Sequence, residues 1–132
     1  MVSQNDIEDL METLDANYLG WSSAMAPVIM GNADRPELAA ELEESFCQNN
    51  PKIAKHFAKV TFLGDNRRDL KKLTTNTLII QSKIDAIASM KVGRFVHDNL
   101  SNSKLVIVDT SGHCPHLSAP QKTIEAMKEY LT

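Results

Sequence analysis

The sequence predicts an α/β protein in which a helical first part is followed by a strand–helix–strand–helix segment of a parallel sheet. Up to about residue 70 the apolar residues recur only with helical spacing. Beyond that point two short apolar runs alternate with two helical patterns. The chain has 132 residues, 42% of them hydrophobic and 23% charged, which is typical of one globular unit with a modest core. We therefore divide it into residues 1–70 and residues 71–132.

The first part begins with an amphipathic helix, whose apolar residues stand at i, i+3, i+4 and i+7: Ile7, Leu10, Met11 and Leu14. The apolar pattern continues through residues 18–30 and ends at Gly31-Asn32, a pair typical of a helix end. Another helical stretch follows, with Asp34 as its expected N-cap and Pro36 in its first turn.

A further helix is predicted over residues 51–62, after the break at Asn49-Asn50-Pro51. Its apolar face is formed by Ile53, His56, Phe57 and Val60. All of these helices have narrow apolar stripes, and no strand lies between them. We expect them to form a layer that packs on another part of the protein.

The second part follows the strand–helix–strand order of a parallel sheet. Residues 77–81 and 105–108 are apolar runs typical of buried parallel strands. Residues 89–100 and 120–131 have helical spacing, so the two strands are expected to be joined by a right-handed crossover. Two strands are too few for a stable doubly wound sheet, and this part is expected to be the edge of a larger one.

Composition excludes several classes of protein. A net charge of −3 argues against nucleic acid or an anionic membrane as the main partner. The longest stretch without a charge, residues 16–33, is interrupted by polar residues, glycine and proline, so no membrane span is expected. The acidic first residues do not resemble a signal peptide. Cys47 and Cys114 lie far apart and form no zinc or disulfide pattern, which favours the cytoplasm.

Chemically useful side chains follow both predicted strands. Asp85 comes after the first strand, and His113 follows Gly112 after the second. In open parallel sheets catalytic residues gather at the carboxyl ends of strands, and this order matches the end of a Ser…Asp…His triad. The carboxylate would hold the imidazole tautomer while the imidazole moves the proton. The alternative is that Asp85 caps the next helix and His113 is an ordinary loop histidine.

Four segments make the resemblance specific: NYLGW, APVIMG, LIIQSKIDAIA and SGHCPHLSAP. They resemble the α/β-hydrolase subfamily that contains the bacterial RsbQ-type stress-response hydrolases and the plant strigolactone and karrikin receptor hydrolases. The resemblance extends from about residue 6 to 131 and is closest to the bacterial branch. It implies the C-terminal part of an α/β-hydrolase fold, with a four-helix lid over residues 5–66. One departure is Ser89, where relatives commonly have a proline, which should affect only the start of a helix.

The resemblance also assigns roles. It implies that Asp85 is the triad acid, that His113 is the triad base, and that Trp21, Met25 and Phe62 line an apolar pocket under the lid. Packing within the lid is the alternative for those three side chains. The implied partners are a hydrophobic small molecule and a regulatory protein that docks on the lid in stress or sigma-factor regulation. No cofactor is expected.

The family nucleophile is missing from this sequence. Its serine stands in a G-x-S-x-G turn, and no two of the five glycines here are four residues apart. A complete member is expected to be about twice this length. The chain is therefore expected to be a truncated reading frame, an excised portion or one piece of a split protein, and to self-associate through its missing sheet edge.

Three functions stay open: a hydrolase of small apolar esters or lactones, a receptor for a hydrophobic small molecule, and a remnant without activity. His113 and His116, with Cys114 between them, are not expected to bind a metal, because a metal site usually needs another ligand from elsewhere in the chain and Pro115 constrains this loop. Cys114 is expected to pack rather than to act as a nucleophile, since nothing in the sequence activates it.

Overall fold

The structure is a computed structural model that describes residues 4–132. Four helices come first, α1 (Gln4–Ala16), α2 (Tyr18–Met30), α3 (Pro36–Cys47) and α4 (Pro51–Leu63). A 3₁₀ turn, Arg67–Lys72, leads to β1 (Thr77–Ile84), α5 (Met90–Asn99) and β2 (Ser103–Ser111). A short helix α6 (Pro115–Ser118) and the helix α7 (Pro120–Leu131) complete the described chain. The predicted α/β architecture is confirmed.

The helices α1 to α4, called here the four-helix segment, have a core of their own. Its buried members are Met11, Leu14, Tyr18, Trp21 and Ala58. The apolar stripe of α1 is confirmed, because Leu14 is fully buried and Ile7 and Leu10 pack against the same cluster. Burying such side chains is the main source of stability for helices of this length.

Two details of the four-helix segment differ from the sequence analysis. The apolar pattern over residues 7–30 belongs to two helices, because Asn17 ends the first and caps the second by accepting a hydrogen bond from the Gly20 N–H. Asp34 as N-cap is wrong. Arg35 occupies that position, and the helix begins at Pro36 without a side-chain cap. Proline fits this position because a first-turn residue needs no backbone donor.

The helix α4 packs through a different face from the one expected. Ala54, Ala58 and Phe62 contact the core of the four-helix segment. Of the predicted apolar face, Ile53, Phe57 and Val60 are more than half exposed, and its fourth member, His56, is exposed as well. Small alanines allow α4 to approach α1 closely, and Lys59 pairs with Asp15 across that contact. The apolar face is thus not covered by the part of the chain that the structure describes.

The described sheet consists of β1 and β2, paired in parallel. Ile79 lies opposite Leu105 and Ile80 opposite Val106, with an irregularity near residues 82–84. Both strands are longer than the apolar runs that predicted them, since polar residues at their ends still take part in the pairing. The division of the chain at residue 70 stays a prediction. None of the helices in the part that the structure describes is long and apolar enough to cross a membrane.

Candidate functional site

The ends of the two strands bring the predicted catalytic residues to one edge of the sheet. Ile84, the last residue of β1, lies opposite Ser111, the last residue of β2. The Gly112 N–H continues the pairing by donating to the Ile84 carbonyl at 2.8 Å. Asp85 and His113 therefore leave the sheet side by side.

Asp85 and His113 are hydrogen-bonded. The distance from His113 Nδ1 to Asp85 Oδ2 is 2.8 Å. The Asp85 side chain is only 4% exposed, whereas that of His113 is 44% exposed. A carboxylate that accepts the Nδ1 proton fixes the imidazole tautomer, so that Nε2 is the nitrogen that can take up a proton. The pair has the geometry required of the acid and base of a triad.

The second oxygen of Asp85 is held by the backbone. Oδ1 accepts hydrogen bonds from the N–H groups of Ile87 and Ala88, at 2.8 and 2.9 Å. Asp85 thus binds the turn before α5 and the imidazole at the same time. The alternative offered by the sequence, in which Asp85 caps the next helix, is wrong, because the N-cap of α5 is Ser89.

A second carboxylate, Asp109, is engaged elsewhere. Its Oδ1 lies 3.0 Å from the Lys83 ammonium, and its side chain is 75% exposed. The hydrogen bond from Lys83 lowers the pKa of the Asp109 carboxyl below its usual value. Of these two carboxylates, Asp85 is therefore the one that is hydrogen-bonded to His113.

Cys114 follows His113 and is half-buried at the start of α6. Burial raises the pKa of its thiol, and the negative charge of Asp85 raises it further. A protonated thiol is a poor nucleophile. Among the described residues, no group of three or more histidine, cysteine or acidic side chains is arranged to hold a metal ion.

The backbone that leads to His113 crosses the end of α2 at two glycines. Gly31 ends α2 with φ +60°, and Gly112 has φ +92°. A Cβ at Gly112 would lie 2.0 Å from the Met30 carbonyl oxygen. The His113 N–H donates to the Ile29 carbonyl at 2.7 Å. The four-helix segment and the loop that carries His113 are therefore in direct backbone contact.

Sequence analysis did not identify two polar residues at this crossing. Asn32 Nδ2 donates to the Ser111 carbonyl at 2.9 Å, and the Arg35 guanidinium donates to the Ser118 carbonyl at 2.9 Å. Asn32 could be interpreted from sequence only as part of a helix end, and Arg35 only as part of a helix start. Their partners lie about eighty positions further along the chain, where no local pattern points to them.

The three predicted pocket residues lie together in the four-helix segment. Trp21 is buried in its core, and Met25 and Phe62 pack against that core partly buried. The Trp21 ring is 6.3 Å from Tyr18 and 5.6 Å from Phe46, measured between ring centroids. Its indole N–H has no hydrogen-bond partner among the described residues. Whether these side chains contact a ligand stays a prediction.

Comparison with known proteins identifies the family. Residues 44–132 match the α/β-hydrolase family model described as TAP-like protein. The chain is 30% identical over 130 residues to the karrikin insensitive 2 receptor IA of Petunia hybrida, with 98% of this chain and 47% of the relative covered. This chain belongs to the α/β-hydrolase family.

Other members of the α/β-hydrolases extend the comparison. The strigolactone esterase D14 of Arabidopsis thaliana is 27% identical, covering 97% of this chain and 48% of that protein. The structure of a hydrolase from Oleispira antarctica is 38% identical and superimposes with a TM-score of 0.90, covering 98% of this chain and 48% of that one. The chain thus spans about half the length of these relatives, and its fold matches the C-terminal half of an α/β-hydrolase.

Proposed function

We propose that this chain supplies the acid, the base and the lid of a serine hydrolase that acts on small apolar esters or lactones. The observation that carries the proposal is the hydrogen bond between the buried Asp85 carboxylate and His113 Nδ1. Asp85 is the triad acid and His113 is the triad base. The relative from Arabidopsis thaliana is named an esterase, which agrees with this class of reaction.

In the proposed mechanism His113 accepts the proton of a serine hydroxyl at Nε2 as that oxygen attacks the carbonyl carbon of the substrate. Asp85 keeps the proton on Nδ1 and stabilises the imidazolium that forms. The imidazolium then donates the proton to the leaving alkoxide, and an acyl-enzyme remains. Water, deprotonated by the same imidazole, then attacks the acyl carbon, and the imidazolium returns the proton to the serine oxygen as the carboxylic acid leaves.

The serine belongs to a segment outside this sequence. No G-x-S-x-G motif occurs in the 132 residues, and the chain spans about half of its relatives. In the family this motif lies on an earlier strand. The whole protein is thus proposed to contain a segment that adds the nucleophile and the missing strands.

The preference for apolar substrates is proposed from the four-helix segment, which we take as the lid. Trp21 lies in one apolar cluster, against which Met25 and Phe62 pack. An apolar pocket with few polar groups suits a small ester or lactone.

A receptor for a hydrophobic small molecule is the second candidate function. One relative with 30% identity carries the name of a receptor. The same pocket would bind the ligand, and the lid would then dock a regulatory protein. The two functions can coexist in one protein. We propose the cytoplasm as its location, because the described cysteines, Cys47 and Cys114, are free thiols.

The test is turnover of p-nitrophenyl acetate by the complete protein in which this chain occurs. Three proteins are compared: the parent, His113→Ala, and His116→Ala as a matched control, because His116 is an exposed histidine three residues further along, in α6. If the protein is a hydrolase, turnover is lost in His113→Ala and retained in His116→Ala. Ligand binding without turnover would favour the receptor, and absence of both would indicate a remnant.

A further inference from the structure

The loop that carries His113 is attached to the four-helix segment at both of its ends. We call residues 111–118 the histidine loop, and residues 31–35, which connect α2 and α3, the strap. Asn32 of the strap holds the start of the histidine loop at Ser111, and Arg35 holds its end at Ser118. His113 lies between these two attachments.

Asn32 has both ends of its carboxamide engaged. Nδ2 donates to the carbonyl oxygens of Ser111, at 2.9 Å, and of Met30, at 2.5 Å. Oδ1 accepts from Arg35 Nη2 at 2.7 Å. Because Nδ2 and Oδ1 both take part in hydrogen bonds, the amide has one orientation, and the Ser111 carbonyl has a fixed partner.

Arg35 joins the strap to the far end of the histidine loop. Nη1 donates to the Ser118 carbonyl, at the end of α6, while Nη2 of the same guanidinium donates to Asn32. A planar guanidinium can make two such bonds in fixed directions, whereas a lysine ammonium at the end of a flexible chain cannot reproduce them.

The backbone contact at the glycines completes the arrangement. The His113 N–H donates to Ile29 in the last turn of α2, and Gly112 passes so close to Met30 that no side chain fits there. The position of α2 and the strap therefore sets where the His113 backbone lies relative to Asp85, which is fixed by its own turn.

We infer that Asn32 and Arg35 are positioning residues for His113, which keep the imidazole in line with the Asp85 carboxylate and with the nucleophile. They act through the histidine loop and contact no reacting atom. The kinetic part of this inference rests on the proposed function, whereas its geometric part does not.

The experiment uses the complete protein and two variants, Asn32→Ala and Arg35→Lys. The control is Asn49→Ala, since Asn49 also donates its side-chain amide to a carbonyl within the four-helix segment, that of Ser45, away from the histidine loop. The first readout is steady-state ester hydrolysis. The second is the NMR resonance of the proton on His113 Nδ1, which is shifted far downfield when that proton is hydrogen-bonded to a buried carboxylate.

We expect Asn32→Ala and Arg35→Lys to lower kcat by about 10- to 100-fold with KM within about twofold of the parent, because small displacements of a catalytic group have effects of this size. The downfield resonance is lost or broadened in both variants. Asn49→Ala matches the parent in both readouts. If Asn32→Ala does not fold, Arg35→Lys, which keeps the charge, carries the test by itself.

Two outcomes separate this inference from the proposed function. If His113→Ala abolishes turnover while Asn32→Ala and Arg35→Lys behave like Asn49→Ala in both readouts, the positioning role is overturned. A rise in KM with an unchanged resonance also overturns it, since that result indicates a binding effect. If His113→Ala leaves turnover intact, the proposed function fails, and loss of the resonance in Asn32→Ala still supports the positioning role.

Discussion

The side chain of Asp85 is placed to accept hydrogen bonds with both of its oxygens. One binds the imidazole of His113, and the other binds two backbone N–H groups. Asp85→Asn, which removes the charge and keeps the shape of the side chain, therefore tests the role of the carboxylate. An amide at this position presents an N–H group to the imidazole and favours the wrong tautomer.

We expect Asp85→Asn to lower the kcat of the complete protein by about 10⁴-fold. The matched control is Asp109→Asn, which removes an exposed carboxylate that pairs with Lys83 and should leave kcat within a few-fold of the parent. Steady-state kinetics of both variants decide the assignment. If Asp85→Asn retains kcat within a few-fold, the acid is misassigned and Asp109 becomes the next residue to test.

Cys114 provides a pH-dependent test of the same region. Because burial and the charge of Asp85 raise the pKa of its thiol, the thiolate fraction at a given pH is smaller than in an ordinary cysteine. We expect iodoacetamide to label the exposed Cys47 at pH 8 well before Cys114, with labelling of Cys114 increasing only at higher pH. Mass spectrometry of the labelled peptides measures both rates. Rapid labelling of Cys114 at neutral pH would show an activated thiolate and contradict this account.

At the residue scale the sequence predicted Asp85 and His113, but not Asn32 and Arg35, which contact the histidine loop. Asp85 and His113 could be found because catalytic groups follow the strands of a parallel sheet, and a strand leaves a clear apolar pattern. Asn32 and Arg35 could not be found, because their partners are backbone carbonyls brought near only by the fold. The pocket roles of Trp21, Met25 and Phe62 stay predictions.

The contact between α2 and the histidine loop depends on Gly112. Its φ of +92° is unfavourable for any residue with a side chain, and an added Cβ would meet the backbone of Met30 at 2.0 Å. The Met30 carbonyl ends a helix and cannot move aside as a flexible side chain could. A glycine is thus required at position 112, both because of the positive φ and because there is no room for a Cβ.

We expect Gly112→Ala to lower the free energy of unfolding of the complete protein by at least about 1–3 kcal/mol, from backbone strain alone, and to lower kcat as well. Gly20→Ala is the control, because the atoms nearest to a Cβ there belong to the side chain of Asn17, and the helix propensity of alanine offsets a weakened cap to within about 1 kcal/mol. Urea denaturation measures the free energy of unfolding of both variants. Equal stability of the two variants would contradict a tight crossing at Gly112.

The order of helices and strands was predictable from periodicity, whereas their limits were not. The apolar pattern continued across Asn17, so the break between α1 and α2 depended on one capping residue. The exposed apolar face of α4 could not be distinguished from a buried one, because a helical period identifies a face but not what covers it.

As a whole molecule the described chain leaves much apolar surface uncovered. Exposed apolar side chains include Ile53, Phe57, Val60, Leu63, Ile84, Phe95 and Ile107. The described sheet has only two strands, so each strand has one edge without a partner in the described chain. Both features agree with a chain that spans half of its relatives.

We therefore expect the 132-residue chain, expressed by itself, to be poorly folded or self-associated and to lack ester hydrolysis. Size-exclusion chromatography and a thermal melt followed by circular dichroism measure the first property, and a p-nitrophenyl acetate assay measures the second. A sharp cooperative melt from a well-behaved monomer would contradict the expectation of incomplete folding. Turnover that disappears in His113→Ala of the isolated chain would contradict the proposed external nucleophile.

The central claim is that His113, held by Asp85, activates a serine that lies outside this chain. The most direct measurement is covalent labelling of the complete protein with a fluorophosphonate, followed by mapping of the labelled residue by mass spectrometry. We predict one labelled serine outside the 132 residues, with labelling lost in His113→Ala and retained in His116→Ala. Labelling at a residue within this chain, or equal labelling of His113→Ala and the parent, would contradict the account.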